Sequence, residues 1–144
     1  MSRILSIDYG DKYIGLAITD PLCIIATPLI TIIRKDIFTI KPYVQKIKEI
    51  VKEKEVTKIV LGFPKNMNDT LGSRAEITMQ FMDRLRNNIK NVEIILIDER
   101  LSTIAANNIL NETSVKKSKK KDVIDQISAC LILQDYLNYT KSNT

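Results

Sequence analysis

"ILSIDYGDKYIGLAITD", Ile4 to Asp20, is the stretch on which the reading of the fold turns. Its first half is an apolar run that stops at Asp8, and after Gly10 a second apolar run begins. Arg3 to Asp8 and Tyr13 to Thr19 therefore read as two short strands joined by the tight turn "YGDK", in which Gly10 is expected to supply backbone freedom. Cys23 to Ile33 reads as a third strand, with Pro28 marking a sheet edge or a bulge. Three neighbouring strands with short connections predict an antiparallel meander.

Beyond Asp36 the apolar period changes from two to between three and four. Ile40, Val44, Ile47 and Val51 form a helical stripe, and "TKIVLGF" follows as a strand apolar enough to be buried on both faces. A second helix is expected from Ser73, with Glu76 at capping-box spacing and with Ile77, Phe81, Leu85 and Ile89 on one side. "VEIILID" is the next buried strand; a short helix capped by Ser102 comes after it. The last helix is predicted over Asp122 to Tyr139, burying Val123, Ile127, Cys130, Leu131 and Leu137. This order predicts an α/β fold: a mixed sheet with a three-strand antiparallel meander, then β-α-β crossovers, and helices on both faces. Residues 1–139 are expected to form a single domain, and 140–144 a flexible tail.

Composition removes whole classes of chemistry. The 144 residues include no histidine, which excludes histidine-based triads, histidine general bases and zinc–histidine sites. There is no tryptophan, and the two cysteines, Cys23 and Cys130, stand far apart in apolar surroundings, as reduced thiols of a cytoplasmic protein would. No signal peptide and no membrane-spanning run is read, so no membrane is expected as a partner. The net charge is +5, and five of the 22 basic residues fall in "KKSKKK", 116–121. The remaining basic residues balance the 17 acids, so the excess charge is confined to one short run.

Three sets of acids sit where a parallel sheet presents its ligands: Asp8 ends the first strand, Asp98 and Glu99 end the last, and Asp125 lies near the start of the final helix. Taken one at a time, each has an ordinary structural role, Asp8 in an Asx turn, Asp98 or Glu99 in an ion pair, Asp125 at a helix start. Taken together they repel, two unit charges about 4 Å apart by roughly 4 kcal/mol near a protein surface, so either one acid takes a proton or a cation neutralises the group. A donor set of oxygens alone favours Mg²⁺ or Mn²⁺. Ions of this kind hydrolyse phosphodiesters without any histidine.

With those acids in place, the chain resembles the YqgF/RuvX family, Holliday-junction-resolvase-like nucleases of the RNase H fold. The similarity is carried by "DYGDKYIGLAITD" (8–20), "LGFPKNMNDTLGSRA" (61–75), "DERLST" (98–103) and "KKDVIDQISACLILQDYL" (120–137), which occur in the family's order over nearly the whole chain. The resemblance implies an RNase H-like fold and a cytoplasmic nuclease that processes the 5′ end of pre-16S ribosomal RNA. It implies catalytic and metal-binding roles for Asp8, Glu99 and Asp125, with Asp98 the adjacent acid of the same motif. Two departures stand out: Tyr13 takes the place of a usual arginine, and Asn68-Asp69 replaces Asp-Gly, adding an acid to a loop expected to approach phosphate.

Further phosphate contacts are expected from Lys65, Asn66, Thr70 and Arg74 around that loop, and from Arg100 beside the acids. Lys116, Lys117, Lys119, Lys120 and Lys121 read on their own as a solvated loop, and beside Asp125 as a clamp on an RNA backbone. The partners implied are pre-rRNA, branched DNA and the ribosome, the protein acting as a monomer or a homodimer. Two other readings keep the same fold: a resolvase of DNA junctions, and an RNA- or ribosome-binding module without catalysis. A phosphate-binding protein of the actin and sugar-kinase type begins with a similar hairpin but needs a second half, for which 144 residues leave no room.

Overall fold

The computed structural model describes residues 2–36, 39–63, 73–98 and 117–142. Along the chain come β1 (Arg3–Tyr9), β2 (Tyr13–Thr19), β3 (Ala26–Ile33), α1 (Lys41–Glu53), β4 (Val56–Phe63), α2 (Ser73–Asn88), β5 (Glu93–Asp98) and α3 (Lys117–Ser142). The strands form one sheet in the order β3-β2-β1-β4-β5. β1, β2 and β3 pair antiparallel as the expected meander, and β4 and β5 add to β1 in parallel.

Alternation along the strands divides the core in two. Leu5, Ile7 and Tyr9 of β1 pack with Ile59 and Leu61 of β4 against α1 and α2. Ile4, Ala17 and Val60 face the other way, against Ala129, Ile132, Leu133, Tyr136 and Leu137 of α3. Both faces of β1 and β4 are thus covered, which is why these strands carry almost unbroken apolar runs. Each fully buried Leu or Ile contributes roughly 1.5–3 kcal/mol, so this double cover is the main stabilising term. The α1 stripe is borne out, and Tyr43 and Ile50 widen it.

Several expectations are corrected. The third strand begins at Ala26, because residues 20–25 form a turn around Asp20. The Asp20 carboxylate accepts amide hydrogen bonds from Ile24 and Ile25, both at 2.8 Å, and Cys23 adopts a left-handed φ of 57°. Leu22, Ile24 and Ile25 are exposed there, so apolar content alone suggests a strand that does not form. Pro28 does mark both an edge strand and an irregularity, since the β2–β3 register shifts between Leu16 and Ala17. Gly10 does not take a positive φ; a Cβ at Gly10 would lie 2.6 Å from the Tyr13 carbonyl oxygen, and close approach is what excludes a side chain.

In α2, Ile77 is exposed and its expected core place goes to Thr78, with Phe81, Met82, Leu85 and Ile89 buried. In α3 the buried stripe is Ser128, Ala129, Ile132, Leu133, Tyr136 and Leu137; Ile127, Cys130 and Leu131 lie at its margin. α3 also begins five residues before Asp122 and continues past Tyr139 to Ser142. Lys117, Lys119, Lys120 and Lys121 therefore lie in helix, not loop, and the first residues of the expected tail are helical. The expected helix after Ser102 lies outside the described residues.

Candidate active site

Asp8 is half-buried and stands one residue past the point where β1 and β4 cease to pair, at Ile7 and Leu61. By alternation it shares the α3 side of the sheet with Ile4 and Ser6. The Ser6 hydroxyl donates to the carbonyl oxygen of Ala129 at 2.6 Å, both groups fully buried, which fixes α3 against β1. Further along α3, Lys58 of β4 donates to the Tyr136 hydroxyl at 2.9 Å. Lys58 pairs with Ile4 at the start of β1, so α3 runs opposite to β1 and β4. Asp125 lies in α3 one helical turn before Ala129, toward the end of the sheet where β1 stops at Asp8 and Tyr9.

In the sheet β4 stands between β1 and β5. Two strand spacings put their backbones roughly 10 Å apart. Across the parallel ladders Ile7 is level with Leu61 and Leu61 with Leu96, so Asp98, opposite Phe63, lies one residue further along than Asp8. Ile95 and Ile97 pack toward α3, and Ile94 and Leu96 toward α1 and α2. Among the described residues no three potential metal ligands come together. Glu99 and Arg100, like Lys65, Asn66, Thr70 and Lys116, lie outside the described residues.

Arg74 does not stand free as an open phosphate contact would. It donates from Nη2 to the Tyr9 carbonyl oxygen at 2.8 Å and pairs through Nη1 with the Asp11 carboxylate at 2.7 Å. A second arginine, not anticipated from the sequence, grips the same hairpin. Arg34 is buried, donates to the Gly10 carbonyl oxygen at 2.8 Å, and has its guanidinium 4.8 Å from the Tyr9 ring centre and 5.5 Å from that of Tyr43. Its own amide bonds the Lys12 carbonyl at 2.8 Å. Tyr9 stacks on Phe81 with ring centres 3.9 Å apart. Burial raises the Tyr9 phenol above its usual range, opposed by the nearby Arg34 charge. The signal available in the sequence is "TIIRKD", a single arginine closing an apolar strand. Tyr13 shares the α3 side of β2 with Ala17, whereas Arg34 packs on the Tyr9 and Tyr43 side.

The structure is similar to Thermus thermophilus RuvC in complex with a Holliday junction substrate, with a TM-score of 0.57 and 12% identity over 96% of each chain. It is also similar to the fowlpox virus Holliday junction resolvase, with a TM-score of 0.52 and 17% identity over 99% of each chain. These likenesses establish an RNase H-like fold. In sequence, the chain is 50% identical over 137 residues to a protein of Acetivibrio thermocellus, covering 94% of this chain and 95% of that one. It is 45% identical over 141 residues to one of Ruminiclostridium cellulolyticum, covering 98% and 97%. Both relatives bear the name "Putative pre-16S rRNA nuclease". A family model described as Holliday junction resolvase matches residues 2–139, and on that span and those identities the chain belongs to the RuvX family.

Proposed function

We propose that this protein is a divalent-cation-dependent nuclease that hydrolyses phosphodiester bonds, with the 5′ end of pre-16S ribosomal RNA as substrate. The observation that carries the reading is the Ser6–Ala129 hydrogen bond. From it, two residues along β1 lead to Asp8, an advance of roughly 6.6 Å, and four residues back along α3 lead to Asp125, an advance of about 6 Å. A buried lock between strand and helix is thus the fixed point from which both acids are counted. Glu99, from the Asp98-Glu99 pair that follows the apolar run of β5, is the third acid in this reading.

The donor set suits Mg²⁺ or Mn²⁺, being carboxylates in a chain without histidine. When bound, such ions supply an activated water and neutralise charge on the leaving oxygen. The protein's part is to hold three carboxylates in one place against their repulsion and to orient the substrate phosphate between them. Lys117, Lys119, Lys120 and Lys121 open α3 with no acid in its first turn, so their charge adds to the positive end of the helix dipole. A polyanion such as RNA relieves that accumulation. Lys116, Lys65, Asn66, Thr70 and Arg100 are further phosphate contacts in this reading, and its setting is the cytoplasm. No helix among the described residues is long and apolar enough to cross a membrane.

The test is cleavage of an RNA bearing the precursor 5′ end beside a four-way DNA junction, with Mg²⁺, with Mn²⁺ and with EDTA. Metal-dependent cleavage of the RNA is expected, and Asp8→Asn should lower it by at least about a hundredfold, the scale of losing an essential electrostatic group. Full activity of Asp8→Asn removes Asp8 from the site. Cleavage confined to the junction makes DNA the substrate instead.

A further inference from the structure

We propose that Arg74 is a positioning residue that holds the backbone leaving Asp8 and so sets the aim of its carboxylate; this rests on the reading of Asp8 as a metal-binding acid. The starting point is the sheet's own hydrogen bonding. The Gly10 amide donates to the Tyr13 carbonyl at 2.9 Å, and Gly10 and Tyr13 continue the β1–β2 register in which Tyr9 lies opposite Ile14. Hydrogen-bonded and non-bonded pairs alternate along an antiparallel ladder, so the main-chain groups of Tyr9 turn away from β2, toward β4. Among the described residues the β1–β4 ladder is last seen at Ile7 and Leu61, although β4 runs on to Phe63. On that side the Tyr9 carbonyl accepts a hydrogen bond from the Arg74 guanidinium at 2.8 Å.

The grip is planar and two-pronged: one nitrogen on the carbonyl of Tyr9, another on the carboxylate of Asp11, across the turn. Lysine offers one point charge and cannot hold both at this geometry. The Asp11 pair is exposed, with side-chain exposures of 39% for Arg74 and 59% for Asp11, so it contributes little energy by itself. The charge-assisted bond to the carbonyl is the stronger arm. Arg34 secures the next carbonyl, that of Gly10, from the end of β3. The peptides on either side of Gly10 are thus fixed by two arginines, immediately after the acid.

The same side chain also ties the hairpin to the first turn of α2.

Five proteins decide the matter: wild type, Asp8→Asn, Arg74→Ala, Arg74→Lys and, as control, Asp11→Asn. Three measurements apply to each: Mn²⁺ binding without nucleic acid by electron paramagnetic resonance, RNA binding in EDTA, and thermal unfolding without metal. Arg74→Ala is expected to weaken Mn²⁺ binding about tenfold, the lower end of losses from groups that orient metal ligands, while RNA affinity in EDTA stays at the wild-type level. Arg74→Lys should not restore Mn²⁺ binding, although it restores the charge. Asp11→Asn should stay within about twofold of wild type, as expected for an exposed pair. Unchanged Mn²⁺ binding in Arg74→Ala overturns the proposal, whether the variant loses RNA affinity, stability or neither. If Asp8→Asn binds Mn²⁺ as wild type does, the metal role of Asp8 falls and the positioning role falls with it. A loss in Asp8→Asn with none in Arg74→Ala refutes the positioning role alone.

Discussion

Asp8 lies near the end of β1, which still pairs with β2 there through Asp8–Gly15 and Tyr9–Ile14, while β4 continues to Phe63 on its other side. The abrupt end of the apolar run at Asp8 was legible in the sequence. The two arginines that brace the hairpin after it were not, because a guanidinium that bonds backbone carbonyls leaves no pattern of spacing. Cys130 shows a second effect at this scale. At the margin of the α3 core, burial pushes its thiol up to about 11. The ordinary thiol loses its proton near pH 9, so between about pH 9 and pH 11 the unfolded chain releases a proton that the folded chain retains. Stability from this group is therefore intact below pH 9 and falls as pH rises through about 11. Urea unfolding of wild type and Cys130→Ala from pH 8 to 11 should show the flatter alkaline limb in the variant. Identical limbs would mean that the thiol titrates alike in both states.

Elements were predicted well where burial was two-sided and less well where it was partial. β1, β2 and β4 are covered on both faces, and their observed limits fall within one residue of the apolar runs that announced them. α2 and α3 touch the sheet along one stripe only, and which stripe depends on how each helix rotates to fit the strands beneath. Ile77 is three to four residues from the next apolar position and fits a helical period, yet α2 is rotated so that Thr78 is buried and Ile77 is 38% exposed. Truncation distinguishes the two faces. Phe81→Ala should cost about 3–5 kcal/mol, because it opens a cavity beneath the Tyr9 ring. Ile77→Ala should cost less than about 1 kcal/mol. Equal costs, measured by chemical denaturation, would contradict the observed rotation.

At the scale of the whole molecule, charge and topology meet. The lysines of 117–121 belong to α3, the same helix that carries Asp125, so a backbone bound by them would extend along the helix toward the acids. Replacing Lys116, Lys117, Lys119, Lys120 and Lys121 with glutamine should flatten the salt dependence of RNA affinity, by about 0.7 in log–log slope for each phosphate no longer neutralised. Mn²⁺ binding should be untouched; an unchanged slope would remove these lysines from the interface. The sequence by itself determined the element order, the double burial of the central strands and the exclusion of histidine chemistry, because apolar period and residue type act locally. Only the tertiary structure decided that β4 stands between the two acid-bearing strands, that α3 is locked across β1, and that Arg34 and Arg74 close on one hairpin. Those interactions join residues up to 123 positions apart, as Ser6 and Ala129 are, and follow from the order of strands and the rotation of helices, which no local pattern encodes.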